Sequence, residues 1–155
     1  MATWMVLEDE PDLYDMIMAM YEMLGVEGVA FGAGEEAVDW IEDVENGHWE
    51  EELPELALLD IRMPDAISGL MVGERMRQSA RLRNTVIVLM TAHKLSPSEE
   101  KEAIQQTDAD LLMYKPLPGF AELERTFHDL IRNSTRKNGN GTTRRRRRNN
   151  RRRRN

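Results

Sequence analysis

The sequence predicts an α/β domain built on a parallel sheet with helices on both faces. Two observations lead there. Five short apolar runs alternate with five amphipathic stretches of helical period, the pattern that places crossover helices against parallel strands. Four of those five runs give way at once to polar residues able to do chemistry: Glu8 and Asp9, Asp60, Thr91, and Lys115. The chain has 155 residues, enough for one domain with a substantial core, and no cysteine, which excludes disulfides and thiolate metal sites.

The first run, residues 4–7, ends in Glu8, Asp9 and Glu10, and Pro11 follows where a first helical turn tolerates a missing N–H. Leu13, Met16, Ile17, Met20 and Leu24 share one face of the first helix, leaving Asp12, Asp15 and Glu22 for water, and its methionines keep the buried spacing of core filler. Gly25 ends it. Residues 28–31 make the second strand and 32–34 a turn. Ala37, Val38, Ile41 and Val44 form the stripe of the second helix, which Asn46 and Gly47 stop. Residues 48–54 are acidic and interrupted and read as an exposed loop. Leu56, Ala57, Leu58 and Leu59 then form a continuous apolar strand of the kind buried on both faces, and Asp60 comes directly after. The third helix begins near Ser68 or Gly69 and ends before Asn84. Residues 86–90 are the most strand-like run, closed by Thr91 and Ala92. Ser96, Pro97 and Ser98 with Glu99 and Glu100 start the fourth helix. Residues 111–114 make the fifth strand before Lys115 and Pro116, and Phe120, Leu123, Phe127, Leu130 and Ile131 mark the last helix.

The net charge of −7 hides a division. Every acid lies at or before Asp129, while residues 135–155 hold 11 of the 21 Lys and Arg, leaving 10 bases against 28 acids in the body, a net of −18. The division sets the expected boundary: a globular domain over residues 1–133 and an Arg-rich tail over 134–155 with no apolar residue to drive folding, hence disordered. No apolar stretch approaches membrane-spanning length and the N-terminus lacks the features of a secretion signal, so a cytoplasmic location is expected.

In an open parallel sheet the ligand crevice lies beyond the carboxyl ends of the strands, so topology would gather Glu8, Asp9, Asp60, Thr91 and Lys115 at one edge. Three crowded carboxylates repel one another unless a cation joins them, and hard oxygen donors suit Mg²⁺. Lys115 and Thr91 would supply the positive charge and the donor that a phosphoryl group's oxygens need, leaving Asp60 as the nucleophile that forms an aspartyl phosphate. Taken singly, each motif has a plain alternative: an acidic turn opening a helix at its positive dipole end, a turn-capping aspartate, a strand threonine, a surface lysine. Their joint placement favours the site.

Glu8-Asp9, Leu58-Leu59-Asp60-Ile61-Arg62-Met63-Pro64, Met90-Thr91-Ala92 and Lys115-Pro116 together resemble the motif set of bacterial two-component receiver domains, over about residues 3–132. The resemblance implies a flavodoxin-like, doubly wound five-stranded sheet of order 2-1-3-4-5 and a stand-alone response-regulator switch. It further implies phosphorylation on Asp60 from a histidine kinase or His-containing phosphotransfer protein, with Mg²⁺ as cofactor. By carry-over, Asp9 and Asp60 ligate the metal directly, the backbone carbonyl of Arg62 adds a ligand, Glu8 acts through water, and Thr91 and Lys115 hold the phosphoryl oxygens. The sequence departs from the pattern in three places. Leu112 stands where an aromatic or histidine is usual and Tyr114 adjoins Lys115; the glycine after Asp60 arrives at Gly69, one residue late; and residues 46–55 lengthen the connection before the third strand.

His93, two positions after Thr91, is placed to tune phosphate lifetime, whereas His48 and His128 have no metal-site spacing and read as structural or solvent-facing. The expected role is therefore a signalling switch acting through protein contacts around the fourth and fifth helices and the fifth strand, with no external substrate and so no enzyme in the usual sense. A competing role is a nucleic-acid-associated protein that binds non-specifically through the Arg tail under control of the receiver; such a tail would equally suit anionic lipids, the acidic body itself, or no ligand at all. No base-reading module follows the domain. A third, an Mg²⁺-dependent phosphohydrolase using Asp60, needs a second acid two residues on, and Arg62 occupies that position.

Overall fold

A computed structural model describes residues 1–134. Five strands, β1 (Thr3–Leu7), β2 (Glu27–Phe31), β3 (Leu56–Asp60), β4 (Val86–Thr91) and β5 (Leu111–Tyr114), alternate with five helices, α1 (Pro11–Met23), α2 (Gly34–Glu45), α3 (Gly69–Gln78), α4 (Pro97–Thr107) and α5 (Phe120–Arg132). The sheet is wholly parallel in the order β2-β1-β3-β4-β5, the flavodoxin-like order expected. The tail expected over 134–155 lies, apart from Ser134, outside the described residues.

Strand side chains alternate between faces, and the two cores divide by that alternation. Met5, Leu7, Ala57, Leu59, Ile87 and Leu89 pack against Ala37, Trp40, Ile41 and Val44 of α2, Val72 and Met76 of α3 and Ala103 of α4. Their neighbours Trp4, Val6, Leu56, Leu58, Val86, Val88 and Met90 face α1 and α5 through Ile17, Met20, Tyr21, Leu123 and Phe127. Both faces being covered, β1, β3 and β4 are buried throughout, which is why they read as unbroken apolar runs. Truncating such a side chain, Leu58 for example, to alanine costs about 2–5 kcal/mol. Trp4 centres the α1/α5 core in edge contacts with Tyr21, Phe127 and His128 at centroid distances of 5.5, 5.8 and 5.3 Å.

Helix starts follow local chemistry. Glu10 caps α1 by accepting from the Leu13 N–H at 2.7 Å, Ser68 caps α3 at Met71, and Ser96 with Glu99 forms a reciprocal capping box on α4. Past α1, Gly25 takes φ +74°, the left-handed turn that glycine adopts without a Cβ penalty.

Three sequence expectations are corrected. Met16 and Met23 are not core filler: they stand 52% and 70% exposed and line an apolar groove with Met20, Leu117 and Phe120. The buried face of α1 is Ile17, Met20 and Tyr21, because the Tyr21 hydroxyl finds an acceptor in the Met5 carbonyl at 2.9 Å and the ring can be buried whole. Residues 48–54 are exposed only in part, since Trp49 stacks edgewise on Trp40 at 5.9 Å and Leu53 joins the same core, with the three glutamates Glu50, Glu51 and Glu52 left outside. Gly34 belongs to α2 and not to the turn before it, held where a Cβ would meet the Ile67 carbonyl at 2.3 Å.

Candidate functional site

The chain leaves β1 for β2 on one side and returns to β3 on the other, so the two central strands open a crevice at their carboxyl ends. Glu8 and Asp9 follow β1, Asp60 ends β3, Thr91 ends β4, and Lys115 follows β5. All five predicted side-chain positions thus meet at one edge. Glu8, Asp60 and Thr91 are buried there, at 0%, 4% and 0% exposure, while Asp9 stands at the open rim.

Lys115 Nζ donates to Glu8 Oε1 at 2.8 Å and to Asp60 Oδ2 at 2.9 Å. Backbone donors hold the other oxygens: the Glu10 N–H reaches Glu8 Oε2 at 2.9 Å, and the Arg62 N–H reaches Asp60 Oδ1 at 3.0 Å. That second bond sets the Arg62 main chain beside the aspartate. Thr91 Oγ1 accepts from the His93 N–H at 3.2 Å, a short local turn that closes the start of the β4–α4 loop. His93 itself is exposed at the rim.

Gly69 explains the late glycine. Its N–H bonds the Ile61 carbonyl at 3.1 Å, and an added Cβ would stand 1.9 Å from the Asp60 carbonyl oxygen, so α3 starts hard against the residue it helps place. Sequence inspection had only the glycine's position as a signal, since the contact depends on how residues 61–68 fold back.

One carboxylate oxygen from each of Glu8, Asp9 and Asp60 lies within 4.8 Å of the others. Among the described residues, the three acids have one close cation, Lys115, so they outnumber the positive charge beside them in a partly dry place. Burial raises the Glu8 carboxyl above its usual range, only partly offset by the hydrogen bonds from Lys115 and from the Glu10 N–H. Burial works to lower the Lys115 ammonium, but its hydrogen bonds to Asp60 and Glu8 carry it net upward, so the lysine is charged. Oxygen-only donors at this spacing with a deficit of positive charge fit a hard divalent cation such as Mg²⁺. The arrangement brings a buried carboxylate, an ammonium and a hydroxyl to one edge beside a cluster of acids, groups of the kinds that phosphoryl transfer to an aspartate would use.

Comparisons with known proteins bear on the family and the fold. The family model described as response regulator receiver domain matches residues 5–127. The response regulator TrrA of Thermotoga maritima, solved in complex with Mg²⁺ and BeF, is 27% identical, with 84% of this chain and 99% of that one covered and a TM-score of 0.65. The receiver domain of a sensor histidine kinase from Pseudomonas aeruginosa PAO1, solved with magnesium in its active-site cleft, is 25% identical, with 84% and 97% covered and a TM-score of 0.68. Chemotaxis protein CheY4 of Vibrio cholerae, at 19% identity with 83% and 98% covered and a TM-score of 0.69, shares the fold. Among curated proteins, none matches significantly in sequence.

Proposed function

We propose a phosphoacceptor role for a chain that belongs, by sequence and by fold, to the response regulator receiver domains: Asp60 takes a phosphoryl group from a phosphohistidine on a histidine kinase or phosphotransfer protein. The observation that carries this reading is the Asp60 carboxylate itself, buried at a strand end, fixed by the Arg62 N–H and Lys115, and within 4.8 Å of two further carboxylates. In the transfer, Asp60 forms an O–P bond as the donor's P–N bond breaks, and the leaving imidazole keeps the electron pair of that bond. Lys115 and the Thr91 hydroxyl meet the phosphoryl oxygens, where preorganised charge and donors lower the barrier most. Asp9, Asp60, the Arg62 carbonyl and Glu8 would hold Mg²⁺, which would supply charge neutralisation. Hydrolysis then restores the carboxylate, with His93 at the rim placed to affect its rate. The domain doing this spans residues 1–133, and its output is contact with a separate protein.

Intact mass after incubation with Mg²⁺ and acetyl phosphate or phosphoramidate tests the proposal. The expected result is a gain of one phosphoryl group, abolished by a chelator and by Asp60→Asn; no gain, and no beryllofluoride adduct either, overturns it.

The segregation of 11 bases into residues 135–155 favours a second reading, non-specific nucleic-acid binding through that segment. It predicts binding that falls steeply with salt and is lost in a chain ending at Asn133. Among the described residues, no helix is long and apolar enough to cross a membrane.

A further inference from the structure

Asp60 stands at the head of a loop, residues 61–68, that is tied back to it at both ends. At the near end the Arg62 N–H bonds Asp60 Oδ1, and at the far end Gly69 lies against the Asp60 carbonyl. Ile67, close to that far end, rests on a different element. Its side chain joins the core under α2, α3 and α4, and its main chain abuts Gly34 in the first turn of α2. A Cβ added to Gly34 would stand 2.3 Å from the Ile67 carbonyl oxygen, 2.7 Å from its Cβ and 2.8 Å from its Cγ2. Helix and loop therefore touch backbone to backbone, and the contact exists because residue 34 has no side chain.

The turn that leads into α2, residues 32–34, also touches the other loop that carries acids. The Glu8 N–H donates to the carbonyl of Phe31, the last residue of β2, at 3.0 Å, and a Cβ added to Gly32 would meet the Glu8 carbonyl oxygen at 4.0 Å. Glu36 Oε1 accepts the Gly32 N–H at 3.3 Å and so ties the turn to the helix it starts. One end of the turn thus rests on the backbone of Glu8, which Asp9 follows, and the other on the loop that runs from Asp60 through Arg62 to Ile67. The turn adds no oxygen to the cluster of Glu8, Asp9 and Asp60. What it fixes is the separation of the two loops that do.

We propose that the β2–α2 turn is a spacer that sets the size of the cation site, and that Gly34, by letting the β3–α3 loop close up against α2, makes the site select a small divalent ion over a large one. Mg²⁺ demands oxygens at about 2.0–2.1 Å in a near-ideal octahedron, whereas Ca²⁺ accepts about 2.3–2.6 Å and irregular sets. A side chain at position 34 would drive Ile67 outward and loosen the Asp60–Arg62 side of the site against the Glu8–Asp9 side, which harms the ion of stricter geometry more. Gly34 is a positioning residue: it has no side chain to touch an ion or a phosphoryl group, and it acts through Ile67. The inference rests on the cation-binding reading of Glu8, Asp9 and Asp60.

The test is calorimetric titration of the full chain, freed of metal, with Mg²⁺ and separately with Ca²⁺, read as the ratio of the two affinities. Gly34→Ala is expected to lower Mg²⁺ affinity about tenfold, the low end of what changes behind a metal's ligands cost, and Ca²⁺ affinity about threefold or less, so that the ratio falls. Gly47→Ala is the control for lost stability. It lies just past the other end of α2, where φ is +79° and open space surrounds an added Cβ, so it strains the chain there and leaves the ratio at the wild-type value. Ile67→Ala, which withdraws the loop's side chain from its seat without adding bulk, lowers the ratio in the same direction and decides the question if Gly34→Ala does not fold. An unchanged ratio in the deciding variant overturns the spacer, and so does an equal fall in Gly47→Ala. A wild-type chain that binds neither ion overturns the cation-binding reading itself, and the spacer with it.

Discussion

At the amino ends of the strands, the Arg77 guanidinium is spent on the main chain. It donates to the carbonyls of Thr107, Arg83, Thr85 and Asp108 at 3.0, 2.7, 2.6 and 2.9 Å and reaches Asp110, whose carboxylate in turn accepts the Ile87 N–H at 2.9 Å. Thr85 hydroxyl donates to the Pro54 carbonyl beside it. At the carboxyl ends, Lys115 is spent on side chains and still leaves an excess of acid. Both edges hold a partly buried cation, yet one satisfies backbone carbonyls, those of buried Thr85 and Thr107 among them, and the other sits among more acid than it balances. The first arrangement gains by being complete. The second leaves an excess of acid that a divalent cation would offset.

The sharpest way to break the contrast is at the carboxyl edge. Lys115→Met is expected to slow phosphoryl uptake from acetyl phosphate about a hundredfold to a thousandfold, the usual loss for one donor aimed at developing charge, read by the initial rate of mass gain. Arg77→Ala attacks the other edge. It should destabilise the fold by about 2–4 kcal/mol in urea unfolding, since the carbonyls of buried Thr107 and Thr85 lose their donor, while phosphoryl uptake by the folded fraction stays at the wild-type rate. Gly69→Ala links the two effects: the Cβ has no room against Asp60, so a loss of about 1–3 kcal/mol should come together with slower uptake.

Asp9→Asn sharpens the comparison from the opposite side. Removing one of three mutually repelling acids should raise the melting temperature of the metal-free protein and weaken Mg²⁺ binding in calorimetry, whereas a stability gain is not expected from neutralising Asp110. The smallest effect is on pH. Because burial holds the Glu8 proton more tightly than an ordinary carboxyl, protonation competes with the metal at higher pH than usual. Mg²⁺ affinity should fall as pH is lowered, from a higher pH than at a site of ordinary carboxylates, and fall less in Glu8→Gln.

Much of the site was open to inspection of the chain because a parallel sheet converts order along the sequence into position in space. Once residues 4–7, 56–59, 86–90 and 111–114 are strands, the residues after them must share an edge, and Glu8, Asp9, Asp60, Thr91 and Lys115 do. Helix caps at Ser68 and Ser96 were equally local. The exposed methionines of α1, Met16 and Met23, were not. A helical period says which residues share a stripe, not where the stripe's border falls, and Tyr21 moved that border by finding an acceptor on β1.

By itself the sequence determined the elements, their alternation and the kinds of atom at the strand ends, since these follow from backbone propensity, apolar period and side-chain chemistry within a few residues. The tertiary structure alone decided that Gly69 abuts Asp60, that Lys115 divides itself between Glu8 and Asp60, that Arg77 closes the far edge, and that Tyr114 reaches Glu100. Each of those is a contact between segments distant in the chain. Its existence depends on distances of a few tenths of an ångström that no local pattern encodes.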